Sequence, residues 1–397
     1  MLSAQHKAIV RATVPLLESG GEALTRHFYE RLLRDHPEVR PFFNQAHQHS
    51  GSQQRVLANG VLMYAKNIDR LEALGDLVGV IVAKHVSLQI QPEHYPIVGA
   101  CLLASIREVL GAELATDAVL EAWGAAYGQL ADILIGAEQA AYDQAAAQPG
   151  GWRGGRSFTV VERHMESAEI LSLTLQPADG GAVMQHQPGQ FIGLRLTVDG
   201  QEVRRNYSLS AAADGRSLRI SVKREPGGTV SQHLHNAVRV GDALEVFAPA
   251  GSFVLRDGDK PLVFISGGVG ITPVMAMLQA AVADGRQRPV TFIHAARRAE
   301  VHAFREATDA LARQHPQVAR FYCYEEPQAE PGADRPDAVG RLTAEHLQAW
   351  LPASRDVDAY FLGPVPFMKA VKAQLASLGI PPAQTHYEFF GPARALV

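Results

Sequence analysis

The sequence contains little cysteine, little net charge and no long hydrophobic run. Its only two cysteines, Cys101 and Cys323, form no CxxC pair, which argues against a disulfide framework, a zinc ribbon or a cysteine-ligated iron–sulfur cluster. No apolar run approaches the roughly 18 residues that span a bilayer. A net charge of −4 disfavours nucleic acid as a partner. Since the N-terminus also lacks a secretion signal, we expect a cytoplasmic protein without a transmembrane segment.

The chain changes character twice, which predicts three domains. Residues 1–145 form successive helical patterns, and the Gly-rich, Pro-containing run at 146–157 predicts a linker. Residues 158–257 alternate β-formers between short turns, which predicts an antiparallel β-barrel or sandwich. Residues 258–397 alternate strands with helices, which predicts a parallel sheet flanked by helices. The expected fold class is therefore multidomain: all-α, then all-β, then α/β.

One histidine in the helical region is a candidate metal ligand. His85 shares a helical face with Ile81 and Leu88, within a segment rich in aliphatic side chains. A neutral imidazole in such surroundings suits an iron held in an apolar pocket. The alternative is an ordinary core histidine bonded to a backbone carbonyl, and this segment alone favours that alternative.

Two motifs in the later domains predict anion binding. Residues 265–273, ISGGVGITP, follow an apolar strand and open a helix, so glycines and free helix N–H groups can approach a diphosphate. Thr272 is expected to cap this helix and Pro273 to lie in its first turn. In the β domain, Arg205-Asn206-Tyr207-Ser208 offers a guanidinium, an aromatic face and a hydroxyl. Alone, these motifs also fit a tight packing turn and an exposed strand.

In their order and spacing, these motifs resemble the ferredoxin–NADP reductase superfamily, which pairs a flavin-binding β-barrel with a nicotinamide-binding α/β domain. The turn at 227–231 and the C-terminal segment 388–392 complete the resemblance. It implies FAD and NAD(P)H as cofactors, with an aromatic residue near the C-terminus covering the flavin. The implied cofactor-binding residues are Phe191, Arg205, Asn206, Tyr207, Ser208, Gly228, Thr229, Ser231, Gly267, Gly268, Val269, Gly270, Ile271, Thr272, Glu388, Phe389, Phe390, Gly391 and Pro392.

With a reductase downstream, the whole chain resembles a flavohaemoglobin. The resemblance makes His85 the proximal ligand of haem b and places Phe43 against the haem. It implies that Tyr29 and Gln53 donate hydrogen bonds to bound dioxygen, with Leu57 closing the pocket. Tyr95 and Glu138 are implied to orient the histidine and strengthen its donation to iron. Lys84 and Glu388 match charged positions between haem and flavin.

The implied activity is nitric oxide dioxygenation, in which electrons pass from NAD(P)H through FAD to haem, and nitric oxide and dioxygen give nitrate. Two departures from the family pattern occur: Phe191 stands where many members have tyrosine, and Arg204 precedes Arg205. Arg297 and Arg298 are candidates for binding a 2′-phosphate, so NADH and NADPH are both left open. We expect a monomer, with lipid as a further candidate ligand of the distal pocket. Alternative functions are an oxygen or redox sensor, a flavin reductase for outside acceptors, and a protein that binds lipid or another bulky ligand.

Overall fold

The computed structural model describes residues 2–43, 52–326 and 335–391, apart from the side chains of residues 52, 53 and 76. By contact density the chain divides into two compact units. The first is built mainly from the first 147 residues, joined by residues 195–205, and the second mainly from the remainder up to residue 390.

The first unit is helical, as the sequence predicts. Ser3 caps its first helix by accepting a hydrogen bond of 3.1 Å from the His6 backbone N–H. Apolar faces of these helices enclose a core that includes Leu24, Phe28 and Ile106. Within the described ranges its α-helices are α1 (Ala4–Ala12), α2 (Val14–Asp35), α3 (Ser52–Lys66), α4 (Gly75–Leu88), α5 (His94–Leu114) and α6 (Asp117–Ala147).

The β domain is a six-stranded sheet that curls on itself. Its strand order is β4-β3-β6-β1-β2-β5, and an antiparallel bridge from Leu209 to Ile220 joins the chain just after β4 to β5. Strands β1, β2, β5 and β6 pair antiparallel, which confirms the predicted barrel class. The strands are β1 (Gly155–Met165), β2 (Ile170–Pro177), β3 (Phe191–Val198), β4 (Gln201–Ser208), β5 (Leu218–Lys223) and β6 (Ala243–Phe247), with helix α7 (Thr229–Asn236) between the last two.

The segment between the helical and β domains is shorter than the linker predicted at 146–157. Helix α6 continues to Ala147 because its alanine-rich end keeps a strong helical preference. Strand β1 begins at Gly155 because residues 155–159 pair with residues 243–247 of β6.

The nucleotide domain is a parallel sheet, as predicted, and its strand order is β10-β9-β8-β7-β11-β12. The chain moves outward from β7 to β10 and then returns to the other side of β7, so the strand order reverses between β7 and β11. Ligands of open α/β sheets bind at such a reversal, beyond the carboxyl ends of the strands. The elements are β7 (Leu262–Gly267), α8 (Ile271–Ala283), β8 (Val290–Ala296), α9 (Arg305–Gln314), β9 (Val318–Tyr324), β10 (Ala338–Val339), α10 (Ala344–Trp350), β11 (Asp358–Leu362), α11 (Val365–Ser377) and β12 (Thr385–Tyr387).

Among the helices in the described ranges, none is both long enough and apolar enough to cross a membrane.

Candidate active site

A buried carboxylate fixes the imidazole of His85 on α4. The Nδ1 atom of His85 lies 2.6 Å from the Oε1 atom of Glu138, and the Glu138 side chain is only 3% exposed. A carboxylate accepts hydrogen bonds, so the imidazole proton is held on Nδ1 and the Nε2 lone pair is left for a metal. The His85 side chain is 32% exposed, so the imidazole borders open space rather than closed core.

Tyr95 on α5 completes this centre. Its hydroxyl donates to Oε1 of Glu138 at 2.6 Å and lies 3.2 Å from Nδ1 of His85. Burial raises the pKa of Tyr95, and the hydrogen bond and charge of Glu138 raise it further. Tyr95 therefore remains a neutral phenol that donates its proton, and one carboxylate oxygen accepts from both neighbours.

Tyr127, which the sequence analysis did not identify, stabilises the backbone of Tyr95. The hydroxyl of Tyr127 donates to the backbone carbonyl of Tyr95 at 2.7 Å. Gly99 permits this contact, because a Cβ at that position would lie 2.6 Å from the Tyr127 ring. A second missed tyrosine, Tyr142, donates to the carbonyl of Ile90 at 2.8 Å, near the start of α5. Both hydrogen bonds hold the segment that carries Tyr95.

The sequence pattern that identifies Tyr127 and Tyr142 lies in α6. A continuous stripe at three- and four-residue spacing puts one acidic residue among buried apolar and aromatic ones, and such a carboxylate needs a partner. The stripe is formed by Tyr127, Ala131, Leu134, Glu138, Tyr142 and Ala145.

The predicted distal residues are only partly within the described structure. Tyr29 on α2 is 6% exposed, and its ring meets the ring of Phe43 edge to face at a centroid distance of 5.6 Å. Leu57 on α3 packs against the same helical core. Gln53 lies one turn before Leu57 on α3, and its side chain lies outside the described residues. Tyr29, Phe43 and Leu57 therefore belong to one apolar region of the helical unit.

The residues present fit a haem. A porphyrin supplies four nitrogen ligands to iron, so the protein needs to contribute only one, and His85 is oriented to do so. In the described ranges, no group of three or more His, Cys, Asp or Glu side chains is placed to hold a metal ion by itself.

On strand β4, the two adjacent arginines have different surroundings. Arg204 lies 2.9 Å from the Glu202 carboxylate and 4.3 Å over the Phe42 ring, and it donates to the Leu88 carbonyl at 2.6 Å. The guanidinium of Arg205 donates to the Arg204 carbonyl at 2.7 Å. Since Arg204 is committed to a carboxylate and a ring, Arg205 is the better candidate for a diphosphate.

The turn before α7 is shaped by Ser231. Its hydroxyl accepts from the Glu225 N–H at 3.1 Å and donates to the Gly228 carbonyl at 3.2 Å. Gly228 immediately precedes the helix and Thr229 is exposed, so a ligand can reach the helix N-terminus.

Phe191 lies in the core of the barrel. Its ring is 3% exposed and packs against Gly251, and its cofactor contact stays a prediction. Its apolar ring, without a hydroxyl, favours this burial.

The glycine-rich turn joins β7 to α8 at the reversal in strand order. A Cβ on Gly270 would overlap the Leu362 carbonyl oxygen and lie 2.9 Å from the Gly363 nitrogen, so glycine alone fits there. Gly268 and Val269 are partly exposed, whereas the first N–H of α8, that of Ile271, donates to the carbonyls of Gly268 and Val269. The capping role predicted for Thr272 is wrong, because its buried hydroxyl donates to the Val269 carbonyl at 3.0 Å. Pro273 lies in the first turn, as predicted.

The C-terminal aromatics divide between two roles. Phe389 is 8% exposed and packs in the core of the nucleotide domain, and its cofactor contact stays a prediction. Phe390 is 48% exposed, which leaves its ring available to cover a flavin. Gly391 ends the described segment, Pro392 lies outside it, and the roles of Lys84 and Glu388 stay predictions.

Carboxylates engage both candidate 2′-phosphate arginines. Arg297 forms an ion pair with Glu169, and Arg298 lies 3.6 Å from Glu300 and 3.7 Å from Glu326. A phosphate bound by either arginine would therefore compete with a neighbouring carboxylate.

Comparisons with known proteins agree with this arrangement. Family models match residues 26–134 as a globin, 157–255 as an oxidoreductase FAD-binding domain and 264–373 as an oxidoreductase NAD-binding domain. A flavohemoprotein of Pseudomonas putida is 62% identical over 396 residues, covering 100% of both chains. The chain belongs to the flavohaemoprotein family.

Solved structures extend this result. The flavohemoglobin of Malassezia yamatoensis, described with bound FAD and heme, matches with a TM-score of 0.87 at 26% identity, covering 98% of this chain and 100% of that one. The FAD/NAD-binding domain of a nitric oxide dioxygenase from Vibrio cholerae matches with a TM-score of 0.55 at 40% identity, covering 59% of this chain and 98% of that one. Haem, FAD and a nicotinamide nucleotide are the cofactors of this flavohaemoprotein, as the sequence predicted.

Proposed function

We propose that the protein is an NAD(P)H-dependent nitric oxide dioxygenase that converts nitric oxide and dioxygen to nitrate. The observation that carries this proposal is the His85–Glu138–Tyr95 centre. A histidine whose Nδ1 proton is held by a buried carboxylate has imidazolate character and donates strongly to iron, which favours dioxygen activation over storage. The similarity to the Vibrio cholerae nitric oxide dioxygenase domain supports the same activity.

When bound, the cofactors supply a nicotinamide electron source, a flavin that passes electrons singly, and an iron that takes them one at a time and binds dioxygen. The protein supplies positioning and electrostatics. On the proximal side, Glu138 and Tyr95 orient His85. On the distal side, the Tyr29 phenol is the candidate donor to a partly negative oxygen ligand, and Gln53 is the second predicted donor.

The β and nucleotide domains carry the proposed binding sites of the reductase. Arg205 on strand β4 is the candidate for the FAD diphosphate, Tyr207 and Ser208 follow it on the same strand, and the N-terminus of α7 is a second candidate anion site. Phe390 is the exposed aromatic that would cover the flavin. The turn at 267–272 is the candidate NAD(P)H diphosphate site.

The decisive experiment is rapid-scan absorbance on the purified holoenzyme with a nitrate assay. NADH is added in oxygenated buffer, followed by nitric oxide, and we expect one nitrate per nitric oxide with continued NADH consumption. A single turnover that NADH does not renew would contradict the proposal and favour a sensor or carrier. NADH oxidation that continues unchanged in a His85→Ala variant would favour a flavin reductase for outside acceptors.

The cytoplasmic location, the monomeric state and lipid binding in the distal pocket stay predictions. Size-exclusion chromatography with light scattering tests the monomer, and mass spectrometry of extracted ligand tests for lipid.

A further inference from the structure

Arg204 on strand β4 contacts the helix that carries His85. Its guanidinium donates to the backbone carbonyl of Leu88 at 2.6 Å, and Leu88 is the last residue of α4, three positions after His85. Residues 195–205 group with the helical unit by contact density, so this contact lies inside that unit. Successive side chains of a strand lie on opposite faces, so Arg204 reaches α4 while its neighbour Arg205 is the candidate for the diphosphate.

The Leu88 carbonyl needs a donor from outside its own helix. A helix continued past Leu88 would bond this carbonyl to the residue four positions on, which is Pro92 and has no N–H. The helix instead ends at Gln89 with a left-handed φ of 59°, and the N–H of Ile90 returns to the His85 carbonyl at 3.0 Å. Because the C-terminal end of a helix carries partial negative charge, a guanidinium is well suited to the Leu88 carbonyl.

The guanidinium of Arg204 is fixed by further contacts. The Glu202 carboxylate lies 2.9 Å away on the same strand, the Phe42 ring lies 4.3 Å from the guanidinium carbon, and the Arg204 side chain is only 11% exposed. Phe43, next to Phe42 in sequence, packs its ring against Tyr29. Arg204 therefore contacts both the end of the helix that carries the proximal histidine and the segment that leads to the distal tyrosine.

We propose that Arg204 is a positioning residue for haem reduction, because it fixes the end of the His85 helix to the strand that carries the candidate FAD residues Arg205 and Tyr207. The inference rests on the part of the proposed function in which FAD reduces haem. NADH and one proton reduce FAD by two electrons; reduced FAD then converts ferric to ferrous iron twice, one electron at a time, and releases two protons. Each transfer needs a fixed geometry, since the orbital overlap of donor and acceptor falls with distance.

Hydrogen exchange of the holoenzyme tests the positioning without using turnover. Arg204→Gln removes a charge-assisted hydrogen bond from the end of α4, so peptides covering residues 86–92 are expected to exchange roughly 10-fold faster. The matched control is Arg156→Gln on β1, because Arg156 is similarly buried and also contacts a carboxylate, aromatic rings and a backbone carbonyl. Exchange over residues 86–92 in this control is expected to equal that of the wild type.

Anaerobic stopped-flow mixing of NADH with the ferric holoenzyme under carbon monoxide separates the two reduction steps. Bleaching of the flavin band gives the rate of flavin reduction, and the carbon monoxide band of ferrous haem gives the rate of haem reduction. In Arg204→Gln, haem reduction is expected to slow several-fold while flavin reduction stays at the wild-type rate. Arg204→Lys keeps a cation and is expected to recover part of the loss, whereas a general loss of stability would lower the haem or FAD content instead.

If Arg204→Gln fails to fold, Glu202→Gln removes the carboxylate that fixes the guanidinium and is expected to slow haem reduction to a smaller extent. Unchanged haem reduction in the folded variant, unchanged exchange over residues 86–92, or equal slowing in Arg156→Gln overturns the inference. Slower haem reduction in Arg204→Gln of an enzyme that forms no nitrate would overturn the proposed function and support the positioning role. A wild-type haem that NADH does not reduce would overturn both.

Discussion

At the scale of single residues, Glu138 has the largest chemical consequence. One oxygen of a buried carboxylate accepts from an imidazole and a phenol, each at 2.6 Å. Removing its charge leaves both neighbours in place but weakens the polarisation of the histidine, since a neutral amide oxygen attracts the Nδ1 proton less than a carboxylate does. The tuning of His85 therefore depends on charge as well as on position.

We expect Glu138→Gln to keep haem bound and to lower nitric oxide turnover by roughly 10- to 100-fold. Resonance Raman spectroscopy of the ferrous protein is expected to show a lower iron–histidine stretching frequency. Tyr95→Phe, which retains the carboxylate and loses one donor, is expected to shift the frequency less. An unchanged frequency in Glu138→Gln would show that the carboxylate does not tune the ligand.

The two arginines of β4 give a second prediction. Arg205→Gln is expected to weaken FAD binding by about 2 kcal/mol, the value of one charge-assisted hydrogen bond, which is about thirty-fold in affinity. Arg204→Gln is the control, because Arg204 is already engaged by Glu202 and Phe42, and its FAD affinity is expected to change less. Titration of FAD into the deflavinated protein measures both. The reverse order of effects would assign the diphosphate to Arg204.

The burial and the hydrogen-bond partners of single residues were the features least predictable from the sequence. Phe389 and Phe390 are identical and adjacent, and only the packing at the end of the nucleotide domain buries the first and exposes the second. Threonine is a residue type that often caps helices. Thr272 lies inside the first turn, however, so its hydroxyl donates to a backbone carbonyl instead. Such choices depend on neighbours that are distant in sequence.

At the scale of elements, the turn between β7 and α8 packs closely against the end of β11, where Gly270 lies beside the Leu362 carbonyl. Gly270→Ala is expected to distort this turn and to raise the KM for NADH at least several-fold, because its Cβ would overlap the Leu362 carbonyl. Gly268→Ala is a milder change, because no atom lies within 4 Å of the new Cβ and the cost is about 1 kcal/mol for its positive φ of 55°. Steady-state kinetics of flavin reduction measures both. A smaller effect for Gly270→Ala than for Gly268→Ala would contradict this assignment.

Strand β8 and the loop after it carry a buried pair of histidines. The rings of His294 and His302 stack at a centroid distance of 4.4 Å, and their Nδ1 atoms lie 2.8 Å from the Ser266 hydroxyl and 2.7 Å from the Tyr324 hydroxyl. Burial lowers the pKa of His294 from 6.5 to about 3, and burial followed by the charge of His294 lowers the pKa of His302 well below 6.5. Both imidazoles are therefore neutral in the folded domain.

This pair predicts acid lability of the nucleotide domain. Because the folded pKa lies below 6.5, protons bind the unfolded state first, so stability is complete above pH 6.5 and falls as the pH drops toward 3. At pH 5 the loss is about 2 kcal/mol for His294, and His302 adds to it in the same direction. Hydrogen exchange of β8 amides between pH 7 and pH 5 measures it, and His294→Asn is expected to flatten the dependence. Equal slopes in the wild type and this variant would assign the lability to other groups.

At the scale of the whole molecule, the sequence predicted the order and class of the three domains, since helical, alternating and strand–helix patterns are local signals. The boundaries were less predictable, because pairing of β1 with β6 decides where the strand starts, and that partner lies about ninety residues away in sequence. The proximal centre likewise combines α4, α5 and α6, so local patterns identified His85 and only the resemblance pointed to Glu138.

The length of helix α6 determines where an isolated haem domain can be cut from the chain. The globin family match ends at residue 134, whereas Glu138 and Tyr142 lie one and two turns further along the helix, which ends at Ala147. A haem fragment cut at residue 134 would keep His85 and lose Glu138. Its ligand-binding properties would therefore differ from those of the full chain. We expect a fragment ending at residue 147 to reproduce the iron–histidine frequency of the full chain, and one ending at residue 134 to resemble Glu138→Gln or to lose haem.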